Sequence, residues 1–450
     1  MGKITLQQAA EWCGGKIDPK YKDITFLGAN NDTRKLQAGQ LFVALKGVRD
    51  GHDFIPAALE KGAAAVLCTH TDGDYPAIVV EDTRIALGNI ARNARQHLNM
   101  KVVAVTGSVG KSTTKEMIAT VLEGTYKVSK TPVNHNNDIG MPMAILEMPE
   151  NTEVAVLEMG MNHFREIAYL TEIAKPDIGV IINIGTMHIE HLGSKEGILQ
   201  AKLEIREGMP ENGVLILNGD DRLLWGQRLN QDFRKVYFGL DNPDAAVRGS
   251  QITEGDGSTQ FAVRAGQEAF TVTLPLDGIH NVSDALAAIS VALEMGVTPA
   301  DIQRRLAAFS NMEGRQSIYR IKDFTIINDS YNAGPESMAA ALNVLGSKEG
   351  RRIAVLGDML ELGVNAQAEH YKIGRIAAEK ADLLFAYGPA GERMLNGAVT
   401  GGMVGKARAF TDRERLVQAL KLAARPGDVL LFKGSRGMRM ELILEAFLQD

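Results

Sequence analysis

One stretch of this chain carries the residue types of phosphate chemistry. In VVAVTGSVGKSTT, residues Thr106, Gly107, Ser108, Val109, Gly110, Lys111, Ser112 and Thr113 stand between a buried apolar run and a helical one, STTKEMIATVLEG. Glycines let the backbone curl until its N–H groups converge on phosphate oxygens. The helix N-terminus adds a favourable dipole, Lys111 neutralises phosphate charge, and the Ser112 hydroxyl reaches a magnesium ion. The spacing G-x-x-G-K-S is tighter than the usual phosphate loop, which has four residues between its glycines. A Gly-Lys-Ser run alone would be a plain turn. Flanked by strand and helix, it predicts nucleotide binding. Such a loop needs an acid at the end of a neighbouring strand to hold magnesium. EVAVLEMG supplies Glu158 where its apolar run stops. A solvated strand-end carboxylate is the plainer alternative.

A second cluster is NIGTMHIEHLGSKEGILQAKLEI. His188 and His191 follow an apolar strand, at the end where ligand sites of α/β proteins gather. Two histidines three apart suggest zinc, but no third strong ligand stands nearby and the pair lies on a loop. Lys202 falls in a helical stripe with Ile198 and Ile205. A lysine there must snorkel, pair or be chemically altered. A polar knot, VNHNNDIGMP, spans residues 133–142 and by composition is a loop.

These groups need elements to hold them. With 450 residues the chain exceeds what one hydrophobic core serves, and two or three domains are expected. Residues 1–98 alternate short strands (GQLFVAL, AAAVLC) with helices (DFIPAALEKGA, RIALGNIARNARQHL). From 99 to 312 the continuous apolar strands KVVAVTG, TEVAVLEMG, PDIGVIINIG and GVLILNGDD suit a parallel sheet covered on both faces. A polar, β-rich excursion occupies about 240–275 and the helix NVSDALAAISVALEMG follows. Residues 313–450 repeat a strand–helix series through TIINDS, RRIAVLGD, ADLLFAYG and DVLLFKGS. The expected fold is thus α/β in three domains, with a central P-loop parallel sheet.

Charge and composition exclude several classes. A net charge of -6 without a basic tail disfavours bulk nucleic-acid binding. Two cysteines, Cys13 and Cys68, make no disulfide framework, and no apolar run reaches membrane-span length. The N-terminal residues lack the apolar core of a signal peptide, so a cytoplasmic protein is expected. A dinucleotide-binding oxidoreductase is disfavoured, because Gly-Lys-Ser stands where G-x-G-x-x-G would be required. A nucleotide-driven switch that hydrolyses ATP without ligation is a separate alternative.

The phosphate loop, Glu158, His188 and Lys202, in that order, resemble the Mur ligase family, ATP-dependent amide-forming enzymes of peptidoglycan synthesis. In that family the short loop is the normal form. The resemblance implies an N-terminal UDP-recognition domain, a central ATP domain and a C-terminal Rossmann-like domain. It implies ATP as cosubstrate and two magnesium ions anchored by Ser112, Glu158, His188 and Lys202, with Lys202 carbamylated by carbon dioxide. GIHNVSDALAA resembles the family's H-N-x-x-N-A-x-A helix, which implies that Asn281 meets adenine; the second asparagine is Asp284 here. Arg315 in EGRQ matches an arginine that reaches the γ-phosphate, and Asp329 matches a ribose-binding acid. The knot resembles an N-N-x-x-G-x-P segment facing γ-phosphate and metal, with Asn137 the first candidate and Asn136 the second.

The strings INDSYNAGPESM, VLGDMLELG and LFKGSRGMRME are similar to the branch that adds D-alanyl-D-alanine to a UDP-N-acetylmuramoyl-tripeptide. No D-N-P-R motif of the diaminopimelate- or lysine-adding branch occurs. Thr33 and Arg34 match the UDP-substrate domain, and Asn332 is a candidate for the dipeptide. Lys111, Lys202, His188 and Arg315 would carry the catalysis. The implied partners are the two substrates alone, with no nucleic acid or membrane, and the chain is expected to be a monomer. Within the family, a ligase for another amino acid or for a folate is the alternative.

Overall fold

In the computed structural model, residues 2–227, 233–255 and 257–449 are described. Among the described residues three larger sheets build it, beside a two-stranded antiparallel pair, Ile4–Thr5 with Thr25–Phe26. The central sheet has nine strands, in spatial order Glu268–Leu274, Thr259–Ala265, Val247–Glu254, Arg234–Gly239, Val214–Asn218, Ile178–Ile181, Lys101–Thr106, Val154–Glu158 and Val128–Lys130. From Val128–Lys130 to Val247–Glu254 neighbouring strands run parallel. The last two strands are antiparallel additions at one edge.

The alternation inside Lys101–Thr106 explains its unbroken apolar sequence. Val102 and Ala104 enter one core, while Val103 and Val105 enter the core on the opposite face. Both faces are covered, so both phases of the strand must be apolar. The chain leaves this strand toward Val154–Glu158 on one side and later adds Ile178–Ile181 on the other. The crevice at its carboxyl end is therefore a topological switch point, where α/β sheets place ligands.

The N-terminal sheet is parallel, in the order Ala29–Asn30, Leu41–Val43, Ala65–Cys68, Ala77–Val79. The helix Thr83–Gln96, capped by Asp82, buries Leu87, Ile90 and Ala94. Through it Leu41, Leu67 and Ile78 share one continuous core with Met141, Ile145 and Ile173.

The C-terminal sheet runs Ser317–Ile321, Phe324–Asp329, Val429–Lys433, Arg352–Gly357, Leu383–Tyr387, Ala407–Phe410, with only the first pair antiparallel. Its two edge strands were not anticipated from sequence. Edge strands keep polar residues, and Ser317–Ile321 turns back through Lys322 in the left-handed region (φ 52°) without a Gly or Asn signal. The expected excursion is a meander of three mutually antiparallel strands, Val247–Glu254 to Glu268–Leu274, whose first strand joins the central sheet in parallel. Among the described residues no helix is long and apolar enough to cross a membrane.

Candidate active site

A cleft of about 950 Å³ opens at the carboxyl end of Lys101–Thr106. Its walls come from all three sheets' units: Arg84 from the first; Ser108 to Thr113, Glu158 and His188 from the centre; Arg315, Asp329, Tyr331 and Lys433 from the last.

At its floor the loop turns through Gly110, whose φ of 87° is left-handed and favours glycine. A side chain there would also meet Asp284 Oδ1 at 2.5 Å. The first N–H groups of the helix Lys111–Leu122 have no intrahelical acceptor, and they face the cleft as an anion-binding end. The N–H groups of Ser108 and Val109 both donate to Asn183 Oδ1 at 3.0 Å, and Asn183 Nδ2 donates back to the Val109 carbonyl at 2.9 Å. Asn183 thus braces the loop from the neighbouring strand. Lys111 Nζ donates to the Gly107 carbonyl at 2.9 Å. Burial pushes its pKa down; Glu158 partly offsets this, and Arg315 adds to it.

Ser112 Oγ donates to Glu158 Oε2 at 2.6 Å, and Asn136 Nδ2 donates to Glu158 Oε1 at 2.9 Å. The Glu158 backbone N–H donates to Thr131 Oγ1 at 3.0 Å, which pins the strand end. Asn137, the first candidate from sequence, lines the cleft, but its Oδ1 accepts the N–H groups of Ile139 and Gly140 at 3.2 and 2.8 Å. That oxygen closes the turn before helix Gly140–Glu147. Asn136 is the neighbour that touches the acid.

Lys202 is 2 % exposed, and among the described residues its ammonium has no hydrogen-bond or ion-pair partner. Burial, followed by the charge of Lys111, drives its pKa well down, which favours the neutral amine. It neither snorkels nor pairs. His188 lines the cleft, and its Nδ1 lies 2.7 Å from Glu361 Oε2. Burial lowers its pKa first, with Lys111 next. His191 packs its ring on His163, centroids 4.7 Å apart.

The third unit brings its groups across the cleft. The Arg315 guanidinium lies over the Tyr331 ring, 4.0 Å from its centroid. Asp329 pairs with the buried Lys433 at 2.5 Å and accepts the Gln316 N–H at 3.1 Å. Asn281 Nδ2 donates to Gln316 Oε1 at 3.0 Å and to the Asp277 carbonyl at 2.7 Å, joining the two units beside His280. Asn332 Oδ1 accepts the N–H groups of Ala333 and Arg436 at 2.9 and 3.3 Å. Thr106, Gly107 and Lys202 stand behind the lining rather than in it. Thr33 and Arg34 lie outside this cleft; Arg34 pairs with Asp32 and holds that carboxyl down at about 2.

Sequence reasoning missed Asn183, Gln316, Lys433, Glu336 and Glu361. For Asn183 and Lys433 a signal exists, a polar residue just where an apolar strand ends. Glu336 and Glu361 carry none, because their partners, Thr186 and His188, are more than a hundred residues away.

The Mur ligase middle domain matches residues 105–292, the Mur ligase glutamate ligase domain 314–436, and the Mur ligase family catalytic domain 23–106. A Bacillus subtilis UDP-N-acetylmuramoyl-tripeptide--D-alanyl-D-alanine ligase is 40% identical over 460 residues, covering 100% of this chain and 99% of its own. The Escherichia coli protein of the same name is 36% identical over 459 residues, with the same coverage. Among solved structures, MurF from Acinetobacter baumannii superposes with a TM-score of 0.92 at 32% identity, covering 100% of both chains. MurF from Thermotoga maritima in complex with ADP gives 0.84 at 31% identity, covering 94% of this chain and 97% of that one.

Proposed function

The chain belongs to the Mur ligase family, and on that premise we propose how its cleft joins D-alanyl-D-alanine to a UDP-N-acetylmuramoyl-tripeptide at the expense of ATP. The observation that carries the reading is the meeting of Lys111, Ser112 and Glu158 with Arg315, Asp329 and Lys433 across one cleft. A carboxylate is a poor acyl donor. Its attack on the γ-phosphate yields ADP and an acyl phosphate, and the dipeptide amine then displaces phosphate from the acyl carbon.

Two anionic reactants repel each other, so the site must concentrate positive charge. Lys111 and Arg315 hold the transferring phosphoryl from opposite walls. The N–H groups at the start of Lys111–Leu122 hold the nonbridging oxygens. Asn281 and Gln316 offer amide groups to adenine, and Asp329 offers a carboxylate to the ribose. Asn136 and Asn137 orient oxygens without adding negative charge. Docking of the third unit shields the acyl phosphate from water.

The residues fit divalent cations: Ser112 and Glu158, in hydrogen-bond contact at the cleft floor, are hard oxygen donors of the kind magnesium takes. His188 and Lys202 would hold a second ion, with the unpartnered neutral amine of Lys202 suited to carbamylation by carbon dioxide. Bound magnesium supplies charge neutralisation on the phosphoryl group. A monomer working in the cytoplasm accords with this chemistry.

Ligation with purified substrates tests the reading. Phosphate release and a mass-identified UDP-pentapeptide are expected with D-alanyl-D-alanine, using the lysine- or diaminopimelate-containing tripeptide. Faster turnover of a single amino acid, or ATP hydrolysis without product, would overturn it.

A further inference from the structure

Glu361 is a carboxylate that the chemistry above does not use, yet it is held with care. It follows Asp358, Met359 and Leu360 on the loop after strand Arg352–Gly357. The Met359 N–H donates to His370 Nε2 at 2.9 Å, and His370 Nδ1 in turn donates to the Ala366 carbonyl at 2.6 Å. The Leu360 N–H donates to Ser435 Oγ at 2.9 Å, and the Ser435 N–H to the Asp358 carbonyl at 3.0 Å. From this fixed base Glu361 projects with φ 61° and meets His188, itself at φ 64°. Neither residue is glycine or asparagine, and such conformations persist only where surroundings over-determine them.

The contact joins two units. Its neighbourhood is gripped twice more: Thr186 Oγ1 donates to Glu336 at 3.0 Å, and Gly363 packs against Glu190. A carboxylate only accepts, so the His188 proton must sit on Nδ1. That leaves the Nε2 lone pair for the cleft, the arrangement by which outer carboxylates orient working histidines.

We propose that Glu361 is the positioning residue of His188, delivered when the third unit docks on the central one. The proposal rests on the ligase reading only for what His188 then does. Docking brings the side of the cleft that receives the amine, and the same movement sets the histidine. A half-assembled site, with acyl phosphate exposed to water, would lack an oriented His188.

Long-range proton–nitrogen NMR of the full chain, in EDTA with saturating nucleotide and UDP-tripeptide, reads the tautomer directly; His188→Gln assigns the signal. Wild type is expected as Nδ1–H and Glu361→Ala as a mixture containing Nε2–H. In ligation assays Glu361→Ala should lower kcat about 10–100-fold with KM for ATP unchanged, and Glu361→Gln, which keeps an acceptor oxygen, should restore most of it. The Glu361 side chain is 49% exposed, so its loss should leave thermal unfolding in place. An unchanged tautomer in Glu361→Ala would overturn the proposal whether or not kcat falls, and so would a wild-type kcat. Absence of ligation by wild type would instead sink the ligase reading and leave the tautomer result standing.

Discussion

Glu158→Gln separates what the acid does for the fold from what it does for the reaction. The carboxylate is 4% exposed and accepts from Ser112 at 2.6 Å and Asn136 at 2.9 Å. Glutamine has the same shape, keeps an oxygen for Ser112, and pairs with Asn136 once that amide flips. Both hydrogen bonds survive but lose their charge. Charged bonds contribute about 1.5–3 kcal/mol and neutral ones about 0.5–1.5, so with two bonds affected the fold should lose about 2–3 kcal/mol. The reaction loses a fixed charge in a desolvated site. Removing one such preorganised group costs about 2.7–4 kcal/mol, or roughly 10²–10³ in kcat. Lys111 gives a second readout: Glu158 counters the burial that depresses its pKa. Without that charge the ammonium deprotonates at lower pH, and the alkaline limb of the pH–rate profile should move down. Ligation kcat measured across magnesium concentrations, beside a urea midpoint, distinguishes the two effects. A kcat close to wild type would refute the assignment of Glu158 to the metal. A drop in kcat matched by an equal loss of stability would make the residue structural.

Other substitutions test other walls. Lys202→Ala deletes one of the largest buried side chains and leaves a cavity, so the urea midpoint should fall, while ligation falls further and short-chain carboxylates restore part of it; full activity without rescue would exclude the carbamate. Gly110→Ala faces φ 87° and a 2.5 Å approach to Asp284, about 1–2 kcal/mol for the left-handed backbone and about 1–3 for overpacking, so calorimetry should show weakened ADP binding and urea a lower midpoint. Burial raises the Asp284 carboxyl well above its usual range, more than Thr114 and Arg315 lower it. Its stabilising form is therefore the neutral acid, present below the unfolded pKa and lost as pH rises through the folded one. Asp284→Asn should raise stability at alkaline pH and not in acid; no pH dependence in the difference would refute it.

The sequence made the central unit legible because its strands announce themselves. A strand buried on both faces is apolar throughout, and the loop after Lys101–Thr106 has a spacing few other structures need. Glu158, His188 and Lys202 could be singled out because Glu158 ends an apolar strand, His188 follows one and Lys202 interrupts a helical apolar stripe. What stayed hidden depends on which atom of a residue is already spent. Nothing in VNHNNDIGMP says that Asn137 closes a turn while Asn136 reaches Glu158; helix entry at Gly140 decides it. Nor does sequence show that Gln316, placed after Arg315 on the chain, bonds Asn281 and the Asp277 carbonyl.

That spending of atoms follows one rule across the cleft. Glu158 is bonded to Ser112 and Asn136, Asp329 to Lys433, and Asn281 to Gln316. Each of these three side chains already has a protein partner, as buried polar groups must. Nucleotide binding at these points is therefore an exchange of partners rather than a fresh desolvation, and the groups can be aimed in advance without an electrostatic penalty. Lys202 is the departure: buried, cationic in type and, among the described residues, without a hydrogen-bond or ion-pair partner. Of the alternatives its helical position allowed, chemical alteration is the one that would supply an anion at this place, and the rescue experiment on Lys202→Ala tests it. Asp284 stands where the family motif has an asparagine; burial raises its carboxyl well above the usual range, which favours the neutral acid, a form that can donate as well as accept.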